Sequence, residues 1–393
     1  MIDIKGPRKT LHLQKISLQN FRNYSKAEWI PGRSFNYLFG PNGAGKTNLL
    51  EAIYFLIHLQ SFRRVQRAGM IGRGADGMYL MGAFGNAEGT QLVRLEAAVS
   101  GEARKYKVNG KEEQDLVSYL GQVHAVVFFP ESLRFVKEGP FLRRVAFDRA
   151  IAAENAPHLP EAREYSRLLR ERNRLLKRGG DSGMMDVWER RLLRVASRIV
   201  VRRYLYLKSL RQLMPALCRR MGIDPSLEIV YRFIGKSDSR SWDSLLEKTG
   251  LGQEEKALES ETEGILQEMA RDVAGREREQ GRTLWGPHLD DFEIFWDGRK
   301  AKESASQGEQ RLLTIILAIC GAESYKQKKN DDPIVLLDDL SSELDQSKRM
   351  AVLKYLETMG AQVFITSTER PAVGKNLEDS RIFAIEKGKI TAP

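Results

Sequence analysis

Cysteine is almost missing from this chain: Cys218 and Cys320 are its only two in 393 residues. Two thiols build no disulfide framework, and neither has a neighbour at metal-ligand spacing. Cys320 closes the apolar run from Leu312 to Ile319, which marks it as a buried core thiol. The five histidines (His12, His58, His124, His158, His288) form no ligand cluster of the H-E-x-x-H kind. No apolar run approaches the roughly 20 residues a membrane span needs, so no membrane partner is expected. The first ten residues, MIDIKGPRKT, lack the apolar core of a secretory signal, and a cytoplasmic protein is expected. No internal repeat or low-complexity tract stands out.

What the chain does have is bulk and positive charge. A hydrophobic share of 42% is ordinary for a globular protein and supplies a sizeable core. The length exceeds what one core usually covers, so two lobes are expected. Lys and Arg total 63 against 52 Asp and Glu, and 63 − 52 gives +11. Such a surface attracts polyanions, nucleic acid first, although many basic proteins bind none.

The stretch Gly40-Pro41-Asn42-Gly43-Ala44-Gly45-Lys46-Thr47 fits the phosphate-loop pattern G-x-x-x-x-G-K-[ST]. Phe35 to Phe39 before it reads as a buried strand, and Asn48 to Leu56 after it reads as a helix. Glycines let backbone N–H groups turn inward around phosphate oxygens, and the helix N-terminus adds partial positive charge. Lys46 is placed to reach the β- and γ-phosphates, and the Thr47 hydroxyl to hold Mg²⁺. By itself the loop licenses only binding of ATP or GTP.

Residues 11–24 alternate like an edge or meander strand. Ser61 to Arg67 is basic, either a solvated face or a contact with a DNA backbone through Arg63 and Arg64. Met78 to Val108 reads as a small antiparallel sheet with Gly-rich turns, and Val123 to Phe129 as a strand stopped by Pro130. Phe141 to Ala150 is helical. Two long helices, residues 161–178 and 185–211, then read as an antiparallel hairpin around Gly179–Gly183. Its seam would use Leu168, Leu169, Leu175, Leu176, Val187, Leu192, Val195, Ile199 and Leu210. Its outer face is rich in arginine, which is solvation or DNA contact. A short strand (Leu227 to Ile234) and an exposed, Glu-rich helix (Glu259 to Glu279) follow, then a polar turn (Gly281 to Asp291) and a strand (Phe292 to Trp296).

Ala305-Ser306-Gln307-Gly308-Glu309-Gln310 opens a helix, with Ser306 as N-cap and Glu309 completing a capping box. The same stretch is similar to the signature motif of ABC-type ATPases, usually L-S-G-G-Q. In that class a serine hydroxyl and glycine N–H meet the γ-phosphate bound by a partner subunit. Ile334 to Leu337, followed by Asp338 and Asp339, reads as a strand ending in two acids, a Walker B element. Asp338 would hold Mg²⁺, and Asp339 would orient or deprotonate the attacking water. Ser341-Ser342-Glu343-Leu344-Asp345 matches the D-loop. Asp339 stands where such enzymes usually carry Glu, and Thr366-Ser367-Thr368 where they usually carry a switch His; both departures predict slow hydrolysis.

Taken together, LQNFRNY at 18–24, NLLEAI at 48–53, SFRR at 61–64, VVFFPESL at 126–133, GRTLWGPHLDD at 281–291, ASQGEQR at 305–311 and LLDDLSSELD at 336–345 resemble the RecF family. These are short-armed relatives of the chromosome-maintenance ABC ATPases. Leu289 and Glu309 depart from it, Arg and Gln being usual there, and Gln122 is only a weak candidate for its Q-loop glutamine. The resemblance implies an α/β fold, an ABC-type ATPase head (a P-loop NTPase) split in sequence. Its halves, 1–145 and 279–393, flank a helical insertion lobe at 146–278. It further implies that ATP, bound by residues Gly40 to Thr47 with Ser306, Gly308 and Glu309 of a second copy, drives a head-to-tail homodimer. That dimer would clamp duplex or gapped DNA in the nucleoid and, with RecR and RecO, help place RecA on single strands. A transporter ATPase subunit and a non-hydrolysing DNA scaffold are the alternatives. The first needs no basic hairpin; the second is disfavoured by the complete set of Lys46, Thr47, Asp338 and Asp339.

Overall fold

The computed structural model of the protein describes residues 10–63, 65, 67–86, 88–179, 182–223, 227–232, 255–340, 344–370 and 380–392. Two compact units emerge, one from Met1–Leu133, Ala216–Asp224 and Ser306–Pro393, the other from Arg134–Pro215 and Pro225–Ala305. The lobe limits expected at 145/146 and 278/279 fall inside helices α4 (Pro140–Glu154) and α7 (Glu255–Gln280).

The first unit contains two six-stranded sheets. In one, β14 (Arg381–Glu386), β3 (Phe35–Phe39), β13 (Val363–Ser367), β12 (Ile334–Leu337) and β8 (Ala125–Phe128) run parallel in that order, with β15 (Lys389–Thr391) antiparallel at the edge. Parallel strands are covered on both faces, which is why Ile334–Leu337 is apolar and buried throughout. The other sheet is antiparallel, ordered β2 (Tyr24–Trp29), β1 (His12–Phe21), β4 (Gly77–Gly85), β5 (Gln91–Ser100), β6 (Ala103–Val108), β7 (Lys111–Glu112). So β1 pairs on both sides and is not an edge strand.

Helix α1 (Lys46–His58) touches strands of both sheets and buries ten of its thirteen residues. A helix apolar nearly all round belongs inside a core. Trp29 packs edge-on against Phe364 and Phe383, and the buried Gln362 amide bonds the Leu13 backbone and the Gly32 carbonyl. These contacts join the two sheets. Helices α2 (Leu116–Leu120), α9 (Gln307–Lys329) and α10 (Gln346–Met359) complete the elements of this unit that concern the site.

The second unit holds α3 (Arg134–Lys137), α4, α5 (His158–Arg178), α6 (Ser182–Arg220, as far as Pro215), α7, α8 (Ala301–Ser304) and the sheet β11 (Arg299–Lys300), β10 (Asp291–Trp296), β9 (Leu227–Arg232). The hairpin of α5 and α6 is antiparallel: Glu161 meets Arg198 and Arg202, Glu164 meets Arg191, and Arg172 meets Glu189. Leu168, Leu192, Val195 and Ile199 form its core, but Val187 is 60% exposed and lies outside the seam. The Glu-rich α7 is not an exposed helix. Leu266, Met269, Ala270 and Val273, at helical spacing, pack into that same core.

The stretch read as a polar turn is also largely internal. Trp285 and Asp290 are fully buried. Arg203 grips Asp148 through two 2.8 Å bonds and donates to the Pro287 carbonyl at 2.7 Å. Asp290 accepts from the Tyr231 hydroxyl, while its other oxygen has no partner. Burial pushes this carboxyl up to about 7, against the pull of Arg203. A carboxyl raised above its unfolded value stabilises the fold below the unfolded value near 4, and that contribution is lost as pH rises through about 7. The Asp290 contribution, read as the difference between the parent chain and Asp290→Asn in urea unfolding, should therefore fall by up to a few kcal/mol across roughly pH 4 to 8.

Candidate nucleotide site

The turn between β3 and α1 is one that side chains would block. Gly40, Gly43 and Gly45 have φ of 155°, 78° and 117°. A Cβ on Gly40 would stand 2.2 Å from the Ile385 carbonyl oxygen, and one on Gly45 2.5 Å from the Asn23 amide. The turns between β1 and β2 and between β14 and β15, with Tyr24, clamp the loop: the Ala44 carbonyl accepts from Asn23 Nδ2 (3.0 Å) and Gly388 N (3.1 Å), and the Gly45 carbonyl from the Tyr24 hydroxyl (3.0 Å).

Lys46 curls over its own loop, donating from Nζ to the Gly40 carbonyl at 2.7 Å and the Pro41 carbonyl at 3.0 Å. Burial lowers its pKa, opposed by the negative charges of Asp339 and Asp338. Thr47 Oγ1 donates to both oxygens of Asp338, at 2.9 and 3.0 Å. The register of β12 on β13 pairs Leu337 with Ile365, which brings Thr366 beside Asp338. Thr366 Oγ1 donates to Asp338 Oδ1 at 2.6 Å and accepts from Asp339 N at 2.8 Å. Asp339 itself sits in the left-handed region, φ 55°. Burial raises the Asp338 pKa, opposed by the Thr366 and Thr47 hydroxyls and the charge of Arg63.

These groups fit a nucleotide with Mg²⁺. The loop and the start of α1 suit phosphate, and a carboxylate beside a hydroxyl is a hard-oxygen donor set. Among the described residues no three His, Cys, Asp or Glu side chains converge on a cation. Mg²⁺ needs no such cage, since one or two carboxylates serve together with substrate phosphates.

Behind the loop lies a residue the sequence reading overlooked. Glu51 on α1 is fully buried, held by Arg22 through bonds of 2.9 and 2.8 Å and by the Ser61 hydroxyl. An acid in an otherwise apolar helix was the signal. Arg63, a candidate DNA contact, lies 3.8 Å from Glu51 and donates to Asn48 Oδ1 at 3.1 Å. It thus belongs to the surroundings of the loop helix, close enough to act on Asp338. Arg64 and the D-loop residues 341–343 lie outside the described residues.

Ser306 caps α9: its hydroxyl accepts from Glu309 N (3.3 Å), and Glu309 accepts from Ser306 N (2.7 Å). Ser306, Gln307 and Gly308 are exposed at this helix start. Gln122 donates to the Ser118 carbonyl at 2.9 Å, a local bond that links it to none of the loop residues.

Comparison with known proteins places this geometry. The profile of the RecF/RecN/SMC N terminal domain matches residues 12–391. The DNA replication and repair protein RecF of Citrifermentans bemidjiense is 34% identical over 387 residues, 97% of this chain and 100% of that protein. RecF of Geotalea daltonii is 33% identical over 386 residues, again 97% and 100%. A solved RecF with ATP, described as a recombination mediator protein in the RecFOR pathway, is 27% identical with a TM-score of 0.82, covering 98% and 99% of the two chains. The Smc head domain of Pyrococcus furiosus, at 14% identity and TM-score 0.54, shares the fold. An ABC-type ATPase head is therefore the architecture.

Thr366→Val removes the hydroxyl that serves both Asp338 and the Asp339 N–H. Urea unfolding should show a loss of about 1–3 kcal/mol, as for a buried group left unsatisfied. Thr366→Ser, which keeps the hydroxyl, should recover most of it.

Proposed function

The chain belongs to the RecF family of DNA replication and repair proteins, ATP-binding members of the RecF/RecN/SMC group, and from this we propose an ATP-switched DNA clamp. The observation that carries the reading is an asymmetry. Residues Gly40 to Thr47 and Asp338 are assembled, while Ser306 and Gly308 sit exposed at a helix start. Each half fits the other on a second copy of the chain, so the ligand's main effect is to join subunits.

The loop N–H groups and the Lys46 ammonium bind the phosphates. Thr47 and Asp338 would hold Mg²⁺, which would supply charge neutralisation for the phosphates. Asp339 orients or deprotonates the attacking water. As a shorter acid than Glu it stands farther away, and Thr366 is committed to Asp338 rather than to proton transfer. Slow turnover suits a timed switch. Ser306, Gly308 and Glu309 of the second copy complete each site. ATP that bridges two subunits stabilises the dimer in proportion to its extra affinity for that state. The dimer then encloses duplex or gapped DNA and, with RecR and RecO, assists RecA in the cytoplasm at the nucleoid, hydrolysis releasing it.

Sedimentation with ATP, with ADP, and with gapped DNA tests this. Dimers should form with ATP and not with ADP. Lys46→Ala should lose about 1.5–3 kcal/mol of ATP binding, roughly ten- to hundredfold, and dimerisation with it. Ser306→Arg should bind ATP and stay monomeric; dimers from that variant would refute the shared site. Asp339→Asn should dimerise and stay dimeric, and normal turnover in it would remove Asp339 from the chemistry.

A further inference from the structure

Helix α5 sorts its charges by face. At about 100° per residue, Arg163, Arg167, Arg170, Arg174, Lys177 and Arg178 fall within an arc of about 100°. All six are exposed. The opposite side carries the buried Tyr165, Leu168, Arg172 and Leu176. Its acids lie off the arc: Glu161 and Glu164 bind arginines of α6, and Glu171, at the border, holds Arg174 at 2.8 Å. The basic hairpin exterior expected from the sequence therefore divides. Arg172, Arg191, Arg198, Arg202 and Arg203 are tied to carboxylates, Arg190 and Arg194 stay exposed on α6, and the cations of α5 gather on one stripe in which Arg174 pairs with Glu171.

Solvation alone does not call for this pattern. Like charges three and four residues apart oppose a helix, and mixed signs would keep the face soluble without that cost. The stripe runs from Arg163 to Arg178, about 22 Å at about 1.5 Å rise per residue. Five of its six members are arginine, whose planar fork pairs with phosphate through two hydrogen bonds. No aromatic residue lies in the arc, so nothing there stacks unpaired bases.

We propose that this stripe on α5 is a phosphate track for the backbone of duplex DNA, binding without reading bases. It rests on the DNA-binding reading above and assigns that binding a surface. The test is fluorescence anisotropy of the full chain on a labelled random-sequence duplex at graded NaCl, in saturating ATP analogue. In Arg163→Ala/Arg167→Ala/Arg170→Ala the slope of log affinity against log salt should shrink by about 2–3, at roughly 0.9 per phosphate contact. Affinity near 0.1 M salt should fall about a hundredfold. The triple Lys variant should keep the parent slope, and nucleotide affinity and circular dichroism should be unchanged in both. An unchanged slope in the Ala variant, a lost slope in the Lys variant, or poly-L-glutamate competing as well as DNA would each overturn the track. A parent chain that binds no duplex would refute the DNA reading itself.

Discussion

Asp338 accepts hydrogen bonds from two hydroxyls, Thr47 and Thr366, the first 291 residues away in sequence and the second 28. Most of the nucleotide end of the molecule depends on this junction. Burial disfavours the carboxylate, and the two hydroxyls and the charge of Arg63 oppose that penalty. The loop cannot leave its place without stripping Asp338 of Thr47. Strand β13 cannot shift register without removing Thr366 and the support of the Asp339 N–H. Two sheets and the buried helix α1 hold these ends together, so a site assembled from distant segments is still rigid.

That rigidity contrasts with the open start of α9. A capping box satisfies part of the helix end, and Ser306, Gln307 and Gly308 are exposed there. A fixed phosphate cradle and an exposed helix start lie on one chain, and the proposed shared site would use them as two half-sites. Under that proposal, ligand linkage would turn nucleotide state into assembly state.

The second unit treats charge in two ways. Arg172 and Arg203 are buried and held by Glu277, Glu189 and Asp148, so losing a partner leaves a guanidinium uncompensated in low dielectric. The exposed face of α5, by contrast, gathers six cations, with Glu171 at its border pairing only Arg174. The first arrangement specifies how the helices meet. The second leaves a field directed at solvent, where only a partner of opposite charge can neutralise it.

Several features were legible from residues alone. The phosphate loop, the paired acids at a strand end, the capping box at Ser306 and the buried Cys320 rest on local chemistry: fixed spacing, turn-forming glycine, apolar runs. The antiparallel hairpin was legible from leucine periodicity, but Val187 was misplaced because periodicity drifts near a helix end. The Glu-rich α7 and the polar stretch around Asp290 looked exposed, since composition counts charges without pairing them. Which arginines face outward, that Arg63 stands by the loop helix, that Glu51 anchors Arg22, and that Thr366 supports both acids were set by contacts between segments far apart. Local spacing determines which chemical groups the chain can offer. Only the packing of remote elements decides which of those groups meet, which are neutralised, and which remain free to bind.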